Sequence, residues 1–148
     1  MNKRVLGIDF GLRRVGVAMS DPLRMFATRL LTIERRRDDG AGPVSEIAEL
    51  VSTHDIDTVV VGLPVRTDGR ESEIAMAAEE FAKALAEVIT CRIEMHDERY
   101  TSILASRIIL DTQKKKKRDK PLVDRVAAEI MLQDWLDKER GGLAAFTE

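Results

Sequence analysis

The stretch Val5–Asp21, VLGIDFGLRRVGVAMSD, sets a single carboxylate, Asp9, into an otherwise apolar run. Burying an unpaired charge is costly, so Asp9 requires either a partner or a function. Read as a strand with a two-residue period, the segment places Val5, Gly7 and Asp9 on one face and Leu6, Ile8 and Phe10 on the other. Gly11 permits a turn. Val15–Ser20 then returns as an antiparallel strand in which Val15, Val17 and Met19 alternate with the small Gly16, Ala18 and Ser20. Small residues beside Asp9 leave room that a cation or a phosphate could occupy. A carboxylate satisfied by backbone N–H groups of the turn is the plainer alternative, and residues further along the chain must decide between them.

Outward from this hairpin, Asp21-Pro22 signals a turn, and Met25–Ala27 with Leu30, Leu31 and Ile33 predicts a third strand completing an antiparallel meander. Glu34–Gly42 is polar and glycine-containing, a loop. Pro43 suits a first helical position, and Ile47, Leu50 and Val51 recur at helical spacing as far as His54. Thr58–Val61 is continuous and largely β-branched, the pattern of a strand buried on both faces in the parallel part of a sheet. Beyond the break at Gly62-Leu63-Pro64, Ile74, Ala78, Phe81, Leu85 and Val88 share one helical face, and Arg92–Met95 alternates as a strand closed by His96-Asp97-Glu98-Arg99. Ile103, Leu104 and Ile108 predict a further helix, Lys114–Lys120 a basic loop, and Val123–Leu136 a last amphipathic helix. The order β-β-β-α-β-α-β-α-α predicts an α/β fold built on a mixed five-stranded sheet. Three antiparallel strands come first and parallel strands follow, with helices on both sides.

A chain of 148 residues is expected to form one domain over residues 1–140, with a frayed tail over 141–148. Its 44% hydrophobic and 34% charged content suits a soluble globular protein, while 4% aromatic residues argue against a stacking platform for single strands. The lone Cys91 excludes an internal disulfide framework and a cysteine-based zinc site, and fits a reducing cytoplasm. Met1–Arg4 is basic, but the apolar run after it breaks at Asp9, so no signal peptide is expected. No segment is long enough to span a membrane. With a net charge of −2, a nucleic-acid partner would have to be held by a local basic patch.

Open α/β sheets carry their sites outside the carboxyl ends of strands, where Asp9 and Glu98 both fall. Two neighbouring acids repel unless a hard divalent cation sits between them. Asp124 is the best third acid, because the sequence places it in the first turn of the last helix, directly after the basic loop. Each of the three has a bland reading alone: a turn carboxylate, a loop charge, a helix N-terminal acid. Only the set is informative. Asp9, Glu98 and Asp124 holding two magnesium or manganese ions would suit in-line hydrolysis of a phosphodiester, which needs no side-chain nucleophile. Ser20, Ser45 and Ser102 lie in no nucleophile elbow, and neither His54 nor His96 has a ligand partner at a recognisable spacing. His96 reads as a strand-end histidine, solvent-facing or hydrogen-bonded locally, more readily than as a proton shuttle. Lys114, Lys115, Lys116, Lys117, Arg118 and Lys120 concentrate positive charge just before Asp124, placed to hold a phosphate backbone. Arg13 and Arg14, in the first turn, are further candidates for phosphate contact or else exposed turn residues, and Arg66 adds a cation beside the cleft that could contact phosphate.

Four stretches together, GIDFGLRRVGVAMSD, VVVGLPVRTDGRESE, HDERYTSILA and VDRVAAEIMLQDWLD, resemble the YqgF family. This family is described as pre-16S ribosomal RNA nucleases and as Holliday junction resolvase-like, with a ribonuclease H-like fold. The resemblance runs from Val5 to Asp137 and implies that Asp9, Glu98 and Asp124 match the family's metal-binding acids. It implies processing of the 5′ end of pre-16S ribosomal RNA, with ribosomal particles as further partners. Tyr100, where the family usually has leucine, and Val65-Arg66-Thr67 depart from its pattern without touching the acids. Three other functions remain in view. A Holliday junction resolvase would act on branched, four-way DNA as a two-fold homodimer rather than a monomer. A regulatory protein would bind nucleic acid without cutting it. A phosphotransferase is suggested by the likeness of GIDFG to the phosphate loop of actin-like ATPases, but that architecture needs two domains.

Overall fold

The computed structural model describes residues 3–63, 71–97 and 120–147. The apolar hairpin forms as its alternation requires: β1 (Arg4–Phe10) pairs antiparallel with β2 (Arg14–Ser20), and Asp9 lies opposite Gly16. Strand β3 (Ala27–Glu34) extends the meander on the far side of β2. The other edge of β1 takes β4 (Ile56–Leu63) in parallel, and β4 takes β5 (Arg92–Asp97) in parallel, for a five-stranded order β3-β2-β1-β4-β5. Helices α1 (Val44–Thr53), α2 (Glu71–Ala86) and α3 (Lys120–Thr147) complete the described elements.

The two faces of β1 separate two apolar layers. Leu6, Ile8 and Phe10 join Val15, Val17, Val59 and Val61 against Ile47 of α1 and Ala78, Phe81 and Leu85 of α2. On the opposite face Val5, Ala18 and Val60 pack against Ala128, Met131, Leu132, Trp135 and Leu136 of α3. The side of the sheet that carries Asp9 is therefore the α3 side. Beneath the other face, Phe10 stacks on Phe81 at 4.9 Å between ring centroids, and the Arg35 guanidinium covers the Phe10 ring at 4.9 Å. Arg35 also pairs with Asp39 at 3.0 Å and donates to the carbonyls of Gly11 and Leu12 at 3.4 and 3.5 Å, which pins the turn that follows Asp9.

Several boundaries differ from the sequence expectation for local reasons. Met25 and Phe26 precede β3 and are exposed, because the Asp21 carboxylate accepts their backbone N–H groups at 2.9 and 2.8 Å and bends the chain there. Hydrogen bonds from the backbone, Phe26 first, hold the Asp21 carboxyl below its ordinary range. Val88 falls beyond the end of α2 and is 59% exposed, whereas Ile74, Ala78, Phe81 and Leu85 are buried as their shared face requires. Pro43 is the residue before α1 rather than its first. Helix α3 starts at Lys120, so Lys120 belongs to the helix and not to the basic loop. Pro121 sits in its first turn, where the missing N–H costs nothing. The helix predicted around Ile103, Leu104 and Ile108 lies outside the described residues. No helix among the described residues is long and apolar enough to cross a membrane.

Cys91, just before β5, packs against the α1–α2 layer, and burial pushes its thiol up, with the charge of Asp57 adding to the effect. A raised thiol pKa leaves less thiolate at any given pH. Alkylation of Cys91 at pH 8 is expected to run roughly tenfold slower, or more, than that of a free cysteine peptide. Stopped-time labelling followed by intact mass measures this, and equal rates would show that the thiol is not shielded.

Candidate nuclease site

Asp9 is the penultimate residue of β1 and is 7% exposed. The register flanks it with Gly16 on β2 and Gly62 on β4, and the same row continues to Thr32 on β3 and His96 on β5. Paired residues share a face, so the whole row looks toward α3. A carboxylate between two glycines has no Cβ walling it on either side.

Gly16 is also where α3 reaches the sheet. A Cβ on Gly16 would lie 2.0 Å from the backbone carbonyl oxygen of Asp124 and 3.1 Å from the nitrogen of Arg125. One on Gly7 would lie 2.8 Å from the Leu132 Cβ. The Thr32 hydroxyl donates to the Pro121 carbonyl and fixes the start of the helix over the same row. The space directly over Gly16 is thus taken by the backbone of the chain's own last helix. What the small residue admits is Asp124.

Asp124 is the fifth residue of α3, since the helix begins at Lys120, and the first turn holds no acid. This corrects the expectation of a first-turn carboxylate stabilised by the helix end, an effect that fades within one turn. Arg14 pairs with it instead: its Nε donates to Asp124 Oδ2 at 2.7 Å, with the two side chains 18% and 21% exposed. Arg14 opens β2 and stands two residues from Gly16, so alternation turns it to the α3 face as well.

His96 is neither solvent-facing nor hydrogen-bonded locally, as a strand-end histidine was expected to be, but bonded across to the last helix. Its Nε2 lies 3.0 Å from Asp134 Oδ2 on α3, and Asp134 also receives Lys138 at 3.1 Å. The pair ties the end of β5 to α3. Asp134 was not singled out from the sequence, and its only signal was the Asp134/Lys138 spacing on one helical face. Ser20 is structural: its hydroxyl accepts the Val5 N–H at 2.8 Å and donates to the Asp21 carbonyl at 2.9 Å. Glu98, the residue after β5, lies outside the described residues, as do Arg66, Lys114, Lys115, Lys116, Lys117 and Arg118. Lys120 is exposed at the start of α3.

Among the described residues no group of three His, Cys, Asp or Glu side chains could hold a metal ion. Strand β1 nonetheless sets Asp9 beside Gly16, and α3 lays the backbone of Asp124 over the same glycine. An oxygen-only donor pair suits a hard divalent cation, and a cationic group already rests on Asp124. The donors present therefore fit such an ion, with Glu98 as the candidate third.

The family model described as "RuvX: Holliday junction resolvase" matches residues 3–138. The chain belongs to the RuvX family. A Chloroflexus aggregans protein named "Putative pre-16S rRNA nuclease" is 41% identical over 141 residues, spanning 95% of this chain and 98% of the relative. A Myxococcus xanthus protein of the same name is 36% identical, spanning 93% and 89%. Among solved structures, T. thermophilus RuvC in complex with a Holliday junction substrate superposes with a TM-score of 0.58 at 15% identity, over 94% of this chain and 96% of that one. Fowlpox virus resolvase with junction DNA gives 0.51 at 8%, over 91% and 97%. At such identities the likeness is one of fold, and the RuvX chain has the ribonuclease H-like arrangement that its strand order describes.

Proposed function

We propose that this RuvX chain is a metal-dependent nuclease that hydrolyses phosphodiester bonds in structured nucleic acid, with the 5′ end of pre-16S ribosomal RNA as its substrate in the cytoplasm. The observation that carries the reading is that β1 sets Asp9 beside Gly16 and that α3, far along the sequence, lays the backbone of Asp124 over the same glycine. Family membership and the names of its relatives support the nuclease class and the RNA. Asp9, Glu98 and Asp124 would hold two magnesium or manganese ions, which when bound activate a water as nucleophile and stabilise the leaving oxygen. The chain's own part is to bring these carboxylates together from rigid elements and to hold them there. The basic run Lys114, Lys115, Lys116, Lys117, Arg118 and Lys120, with Arg14 and Arg66, would hold the phosphate backbone beside them.

The family's own description favours a second reading, resolution of four-way DNA junctions by a two-fold dimer. Cleavage of end-labelled pre-16S RNA and of a four-way DNA junction, in Mg2+, Mn2+ or EDTA, separates the two. The expected result is metal-dependent cutting of the RNA. Preferential, symmetric cutting of the junction by a dimer would move the assignment to resolution. Tight binding without cutting in either metal would leave a regulatory binding protein in its place.

A further inference from the structure

We propose that Arg14 is a positioning residue that exchanges partners: it holds Asp124 while no metal is bound and passes to a substrate phosphate once the acids take up their cation. The proposal rests on the metal-site reading above and concerns what this chain does before and during loading. The guanidinium and the Asp124 carboxylate are in direct contact at 2.7 Å and about four-fifths buried, so water screens the pair much less than it does an ion pair on the surface. The Asp124 backbone lies directly over Gly16, the residue that pairs with Asp9 across the β1–β2 hairpin. Arg14 therefore supplies the compensating charge for the acid that the helix end does not supply.

The same placement makes Arg14 a competitor. A divalent ion approaching Asp124 meets a guanidinium on the same carboxylate, and like charges at such distances oppose each other. Release of Arg14 does not leave a buried cation stranded, because Arg14 begins β2 beside the turn and a phosphodiester brings a charge of the sign it needs. Guanidinium matches phosphate as well as carboxylate in geometry, so one side chain can serve both partners in turn.

Opposite effects on two ligands distinguish an exchange from a plain structural tie. Mn2+ binding is read by the loss of free-ion EPR signal, and nucleic-acid binding by anisotropy of labelled precursor RNA and four-way junction in Ca2+. Arg14→Ala and Arg14→Gln, the latter keeping an N–H donor without the charge, are expected to bind Mn2+ roughly tenfold more tightly and nucleic acid several-fold more weakly. Arg13→Ala removes an exposed charge one position away and is expected to leave Mn2+ affinity within about twofold. Asp9→Asn serves as the control for the site itself. If Mn2+ affinity depends on Asp9 but is unchanged or weakened in both folded Arg14 variants, the exchange is wrong and the metal site stands. If Mn2+ binds the parent and Asp9→Asn alike, the metal-site reading fails and the exchange falls with it.

Discussion

Asp9→Asn is expected to slow phosphodiester cleavage by roughly 1000-fold, which corresponds to about 4 kcal/mol of lost transition-state stabilisation. The substitution removes one oxygen charge at nearly constant shape. Asp9 lies between Gly16 and Gly62 in the middle of the sheet, so its side chain cannot be replaced by a neighbour on either flanking strand. Helix α3 packs on the same row, with its Asp124 backbone over Gly16. Single-turnover cleavage under saturating Mg2+, with far-UV circular dichroism to check the fold, measures the effect. Cutting at more than about a tenth of the parent rate by a folded Asp9→Asn chain would remove Asp9 from the reacting centre.

Gly16→Ala is expected to be the most damaging single added methyl among the glycines whose surroundings are described. The added Cβ would meet the Asp124 carbonyl oxygen at 2.0 Å; the Cβ is fixed by its own backbone and the oxygen is backbone, so no rotamer change relieves the clash. Helix α3 must lift from β2, taking with it the seating of Asp124 and the contacts of Ala128, Met131 and Leu132 on the sheet. Overpacking of this kind costs on the order of 3 kcal/mol. For a chain of this size that lowers Tm by roughly 6–12 °C. Gly141→Ala, also in α3 but with nothing within 4 Å of the new Cβ, is expected to raise stability by about 0.5–1 kcal/mol. Thermal and urea unfolding of the pair provide the test, and a Gly16→Ala chain melting within about 2 °C of the parent would mean that α3 is not seated on Gly16.

Cleavage and stability should therefore separate at these two positions. Asp9→Asn acts on the chemistry with the fold retained, whereas Gly16→Ala acts on the fold and loses the chemistry as a consequence. A site assembled from a strand and a helix far apart in sequence depends on the packing between them as much as on the carboxylates themselves.

The fold was legible in the sequence wherever one period dominated a segment. Alternation in Val5–Phe10 assigned Leu6, Ile8 and Phe10 to one apolar layer and Val5 to the other, and the continuous run at Thr58–Val61 marked the parallel centre of the sheet. Asp9 stood out because a charge in such a run is costly. Ends of elements were less legible: Met25, Phe26 and Val88 are apolar but exposed, because hydrogen bonds of a turn and the end of a helix settled their positions before side-chain burial could. Tertiary structure alone decided how the site is built. That Gly16 admits the Asp124 backbone, that Arg14 neutralises Asp124, and that His96 reaches Asp134 are all facts about residues tens of positions apart. Periodicity reports which face a residue occupies within its own element. Which charge it meets depends on how two elements cross, and that is set by the sum of the packing across the sheet.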